Sequence, residues 1–157
     1  MSAVYAQDFY SWALEQAELL KREQFDKIDL EHLIEEIEDM GKSERRALES
    51  FLETLLMHLL KLRYQSYYRG RRSWELTVAE QQKRLYWHLR ENPGLQSKLP
   101  EAIARSYDLA RLGASRETDL PLSRFPETCP WTYEQCTDST LCQKLGELGE
   151  LGEPGEP

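Results

Sequence analysis

Glu44 and His58 are the two side chains whose types come closest to a chemical site. A carboxylate and an imidazole can share a metal ion or pass a proton between them. Taking Ile37 as the centre of an apolar helical stripe and advancing about 100° per residue, Glu44 falls about 20° and His58 about 60° from that centre. The two are fourteen residues apart, so on one continuous helix they stand roughly 21 Å from each other along the axis. That is too far to ligate one ion. An enzyme or metal reading therefore requires a polar group from another helix. Each residue also has a structural reading. If the helix breaks at Gly41 to Ser43, Ser43 becomes an N-cap and Glu44 faces the positive end of the dipole. His58 then reads as a hydrogen-bonded histidine at a core edge.

The neighbouring acids are easier to place. Glu31, Glu35, Glu36, Glu38 and Asp39 all fall about 100° or more from the stripe centre, which puts them on a solvated face. Glu38 precedes Lys42 by four residues, the favourable order for a surface pair. A second candidate lies further on. Residues 61–90 carry eight bases and two acids, a local charge of +6, against nine acids and three bases over 29–53. Tyr64, Tyr67, Tyr68, Trp74, Tyr86 and Trp87 are interleaved with the basic run. Basic residues with stacking aromatics suit single-stranded nucleic acid, and Arg69, Arg71, Arg72, Trp74 and Arg84 are the side chains to which that reading points. At helical spacing the aromatics read more simply as core, with the charges answering the acidic face within the molecule or in a dimer. Cys129, Cys136 and Cys142 match no familiar zinc spacing and, being odd in number, make a poor disulfide framework. No metal and no cofactor is expected.

The elements that must position these residues read as helices nearly throughout. Asp8 caps a first helix whose inward side is Phe9, Trp12, Ala13, Ala17 and Leu20. Asp29 caps a long second helix with Leu30, Leu33, Ile34, Ile37, Gly41, Leu48, Phe51, Leu52, Leu55, Leu59 and Leu62 on one stripe. Ser73 caps a third, from Trp74 to about Arg90. Asn92-Pro93 starts a short one, Pro100 opens a last long helix with Ile103, Tyr107, Ala110 and Ala114 inward, and a short helix follows Trp131. Strand alternation is absent. The expectation is an all-α bundle of about four main helices with one or two short ones. A single domain covers 1–142, and an acidic Gly/Glu/Leu/Pro tail over 143–157 is expected to be disordered.

The net charge of −8 argues against general binding of nucleic acid or anionic membranes. No apolar run is long enough to span a membrane, and the N-terminus has no signal-peptide pattern. The cytoplasm is the expected compartment.

The segments "DFYSWALEQAELLK", "IDLEHLIEEIEDMGKSERRALESFLETLLMHLLK", "SWELTVAEQQKRL", "ENPGLQSKL" and "ETDLPLSRFPETCPWTYEQ" resemble, in order, the bacterial domain-of-unknown-function family 29. Family-like positions include Trp12, Asp29, Glu35, Glu36, Glu38, Gly41, Glu44, Arg45, His58, Lys61, Trp74, Pro93, Glu117, Pro126 and Pro130. The resemblance implies a small, all-helical, cytoplasmic bacterial protein of unassigned activity. Such proteins tend to continue into another aromatic–proline segment where this chain enters its Gly-Glu repeat. From the residues themselves the first expectation is a helical interaction module, a homodimer or a partner for another protein. The alternatives are an enzyme or metal protein built on Glu44 and His58, and a nucleic-acid binder through 61–90.

Overall fold

The computed structural model describes residues 3–65 and 69–150. Every regular element among them is helical: α1 (Phe9–Lys21), α2 (Leu30–Tyr64), α3 (Arg71–Glu91), α4 (Leu99–Thr118), α5 (Tyr133–Cys136) and α6 (Leu141–Glu150), with 3-10 turns at Pro93–Lys98 and Leu122–Arg124. The chain divides into two compact units, Met1–Ser43 and Glu44–Pro157.

In the N-terminal unit, Asp8 caps α1 as expected, its side chain accepting from the Ser11 N–H at 3.0 Å. The helix ends in a Schellman motif. Gln24 N–H bonds Leu19 O at 2.9 Å and Glu23 N–H bonds Leu20 O at 3.0 Å, while Glu23 takes the left-handed φ of 55° that favours glycine. Trp12 is buried, but Phe9, Ala17 and Leu20 face solvent, contrary to the inward face expected for α1. Leu30, Ile34 and Ile37 are exposed too, Ile37 at 66%. Helical periodicity shows that a face is apolar; it does not supply a layer to cover that face. What meets α1 is the neighbouring, polar side of α2.

The helix α2 runs without a break through Gly41 to Ser43, so Ser43 is not an N-cap and Glu44 does not open a new helix. Within the C-terminal unit, Leu48, Leu52, Leu55, Leu56, Leu59, Leu60 and Leu62 are fully buried. They share one core with Val78, Leu85, Tyr107, Ala110, Ala114, Phe125, Cys136 and Leu145. Where α4 passes α2, a Cβ on Gly113 would stand 2.7 Å from Met57 Sδ, so a larger residue there would have to displace the Met57 side chain. Ser106 Oγ also donates to Glu49 O at 3.0 Å.

Helix α3 starts at Arg71, two residues before the expected Ser73 cap, and Gly70 at its N-cap supplies no side-chain bond. Arg71 ties this end of the helix down through its own donors: it pairs with Glu75 at 2.9 Å and donates to Cys142 O at 3.1 Å. Asn92 closes α3, donating to His88 O at 3.0 Å, and does not cap the 3-10 turn that follows it. After α4, Tyr107 OH donates to Pro126 O at 2.5 Å and Arg111 to Phe125 O at 3.1 Å, fastening the turn-rich run onto the helix. Thr132 and Gln135 form a capping box for α5.

Residues 143–150, expected in the tail, belong to α6. Leu141 and Leu145, four apart, are both buried in the core. Asp138 accepts from Thr140 N–H at 2.8 Å just ahead of the helix. These bonds from Thr140 hold its carboxyl down at about 2, with Lys144 adding to the effect. The Gly-Glu spacing hides that leucine pair in the sequence. The remainder of the expected tail, 151–157, and Tyr67 and Tyr68 of the basic segment lie outside the described residues.

Candidate functional site

The structure does not bring Glu44 and His58 together. Both lie on α2, and each meets a different partner. Glu44 is half exposed, with Oε2 3.6 Å from His88 Nε2, a ring nitrogen that also bonds Glu44 O at 2.8 Å. His58 bonds Thr54 O through Nδ1 at 2.8 Å. Burial holds its pKa below the usual histidine range, and the Lys61 charge nearby pushes the same way. At neutral pH its ring is therefore neutral, with Nδ1 the protonated nitrogen donating to that carbonyl.

A polar group from another helix, Glu117 on α4, meets Lys61, one turn after His58. Lys61, whose side chain is only 6% exposed, places Nζ 2.5 Å from Glu117 Oε2. The same ammonium stands 4.3 Å above the Trp74 ring of α3, a cation–π contact strengthened by desolvation. His58, Lys61, Trp74 and Glu117 thus join three helices at one polar place beside the leucine core. Chemically this is an ion pair with a buried ammonium and a part-exposed carboxylate, next to a neutral imidazole. Among the described residues no group of three or more His, Cys, Asp or Glu side chains is placed to hold a metal ion. The cysteines behave as small apolar side chains. Burial pushes Cys136 to about 12 and Cys142 to about 11, and raises Cys129 as well.

The basic candidates do not converge. Arg71 is engaged in structural bonds, Arg84 pairs with Glu80 at 2.8 Å, and Trp74 packs against the core. Arg69 and Arg72 are exposed. Tyr86 and Trp87, read as core in the sequence, face solvent instead, with the Arg90 guanidinium 5.9 Å from the Trp87 ring.

The N-terminal unit holds a second cluster. Asp29 is its hub. It accepts from Trp12 Nε1 at 3.0 Å and bonds His32 Nδ1 at 2.7 Å. Its backbone N–H donates to the buried Gln16 Oε1 at 2.7 Å. Tyr5 stacks on His32, centroids 4.1 Å apart and planes 16° from parallel, and its hydroxyl donates to Glu36. That bond pushes the Tyr5 pKa up to about 12, with burial and the Glu36 charge adding to it. His32 lowers the Asp29 pKa, and Asp29 in turn raises that of His32. An open cleft of about 550 Å³ lies beside this hub, lined by Trp12, Glu15, Gln16, Lys27 and Asp29 among others. On the other side of the same helix, Leu30, Ile34 and Ile37 form an uncovered apolar row with exposed Glu31, Glu35 and Glu38 beside it.

A family model described as "Domain of unknown function DUF29" matches residues 4–142. The chain belongs to this family. No curated protein and no solved structure matches it. The matched DUF29 region includes both clusters, and seven of the fifteen positions that carry the sequence resemblance fall into them. Trp12, Asp29 and Glu36 meet in the N-terminal unit; His58, Lys61, Trp74 and Glu117 meet in the C-terminal one. Sequence reasoning missed His32 and Tyr5 in this DUF29 chain. His32 stands among acids in "LEHLIEE" and reads there as part of a solvated face; the available signal was Asp29-x-x-His32, the spacing of neighbours on a helix.

Proposed function

We propose that this DUF29 chain is a helical protein-interaction module whose docking surface is the apolar row of its N-terminal unit. The observation that carries the reading is the exposure of Leu30, Ile34 and Ile37 at i, i+4 and i+7 on one helix. Those are anchor positions of helix-in-groove recognition, and contiguous exposed apolar rows are otherwise rare on soluble domains. A cytoplasmic setting fits three cysteines kept as free thiols. Among the described residues no helix is long and apolar enough to cross a membrane. The test is affinity purification of the tagged full chain beside an Ile34→Ser/Ile37→Ser variant. A stoichiometric partner recovered by the parent and lost by the variant is expected. An identical set from both removes the reading.

A second reading, contact with single-stranded nucleic acid, is favoured by exposed Tyr86 and Trp87 beside Arg90. Weak or no oligonucleotide binding is expected at physiological salt. Sub-micromolar binding lost on Trp87→Ala with Arg90→Ala would put this reading first.

A further inference from the structure

The apolar row does not stand alone on its helix. Glu31, Glu35 and Glu38 repeat the same i, i+4, i+7 spacing one residue later, so a line of carboxylates runs beside Leu30, Ile34 and Ile37, about 100° around the helix. All three acids are exposed, and none is in an ion pair among the described residues. The surrounding charge has the same sign. Residues 1–43 hold eleven acids and four bases, a net of −7 out of −8 for the whole chain. A neutral apolar partner would leave this line of charge unanswered. A second copy docked row against row would bring another −7 against it, and an anionic membrane would be repelled in the same way.

From this juxtaposition we propose that the occupant of the apolar row is a cationic amphipathic helix of a partner protein. Its apolar side covers Leu30, Ile34 and Ile37, and its lysines or arginines face Glu31, Glu35 and Glu38. The inference rests on the docking reading above and adds the charge of the partner. The apolar contact supplies the burial and the carboxylate line sets register and excludes acidic competitors, the usual division between area and charge at interfaces.

The experiment uses the full chain and two synthetic amphipathic peptides with the same leucine pattern, one with lysine and one with glutamate at the polar positions, followed by fluorescence anisotropy. Binding of the Leu–Lys peptide is expected, with no binding of the Leu–Glu peptide. Ile34→Ser/Ile37→Ser should weaken it at least about tenfold, about the loss expected for two exposed anchors. Glu31→Gln/Glu35→Gln/Glu38→Gln should weaken it by about the same factor and flatten its salt dependence. Both variants change exposed residues, and an unchanged thermal midpoint certifies their folding. Equal binding of the two peptides would overturn the charge assignment and leave the docking reading standing. Binding of neither, or binding indifferent to the Ile34/Ile37 change, would remove the docking reading itself. A concentration-dependent dimer in sedimentation velocity, lost on Ile37→Ser, would assign the row to a second copy and overturn the proposal.

Discussion

The N-terminal unit carries a net charge of −7, and the C-terminal unit, with seventeen acids and sixteen bases, carries −1. Their interiors differ as sharply. Behind α1 the side chains that meet are Tyr5, Trp12, Gln16, Asp29, His32 and Glu36, joined by hydrogen bonds and a ring stack. In the C-terminal unit seven fully buried leucines of α2 interlock with α3, α4 and α6. Both stretches of α2 carry apolar residues at helical spacing. One uses them internally, while the other leaves them outside and holds itself together with directional bonds. The apolar content of a helix is therefore a poor guide to which part of it stabilises the fold and which part is offered to something else.

The largest expected effect sharpens that contrast. Leu55→Ala opens a cavity in a closed core and should cost about 2–5 kcal/mol, a fall in thermal midpoint of roughly 5–15 °C. Ile37→Ala, on the exposed row, should stay within about 0.5 kcal/mol. Comparable losses would mean that the row is covered after all. Next comes the ion pair. Glu117→Gln leaves the Lys61 ammonium without its partner, which should cost about 1–3 kcal/mol. That is below the range for a fully buried pair, because Glu117 is 40% exposed and water reaches the freed charge. Lys61→Met, which keeps the packing on Trp74, should cost less than Glu117→Gln in urea unfolding; the reverse order would show that the pair itself stabilises the core.

A smaller effect, of opposite sign, is expected at the end of α1. Glu23→Gly relieves a left-handed conformation and should stabilise the protein by about 0.5–1 kcal/mol. A loss of stability would mean that the Glu23 side chain makes a contact worth more than the strain.

The subtlest difference is one of direction with pH. Asp29 raises the His32 pKa, so the stability from that bond is complete below about pH 6.5 and is lost as pH rises through the folded value. Asp29 itself is lowered, so its contribution is present above about pH 4 and lost as pH falls through its folded value. Burial lowers His58, so its contribution is present above about pH 6.5 and lost on the acid side. Titration of the ring protons by NMR should find His32 above and His58 below the ordinary histidine value, and His32→Asn should abolish the alkaline decline in thermal midpoint and lessen the acid-side loss at Asp29. The two histidines in the opposite order would break the comparison.

Much of the fold was legible because a 3.6-residue period and the cap Asp8 are local signals. The continuity of α2 was not, since Gly41 and Ser43 are compatible with either a break or a helix that neighbours hold intact. The burial of Leu30, Ile34 and Ile37 was misjudged for the same reason that α2 itself was found: the pattern marks a face and says nothing of its cover. Of the candidate sites, Glu44 and His58 were visible as residue types, but Lys61 and Glu117 are fifty-six residues apart and only the packing of α4 on α2 joins them. Arg71 looked available because its partner, a carbonyl seventy-one residues away, carries no mark in the sequence; for Arg84 the signal was there, Glu80 four residues before it on the same helix.

The leucine strip of α2 also has a history within each molecule's synthesis. Leu62 leaves the ribosome fifty-two residues ahead of Ala114, the last of the small α4 residues that close over the strip. At about 5–20 residues per second the seven leucines stay open for roughly 3–10 s. The N-terminal cluster waits less, roughly 2–6 s, since Tyr5 and Glu36 lie only thirty-one residues apart. A holding chaperone on the nascent chain should therefore crosslink to the stretch from Leu48 to Leu62 and release it once α4 emerges. Pausing translation between residues 62 and 114 should raise the aggregated fraction more than a pause anywhere before residue 43.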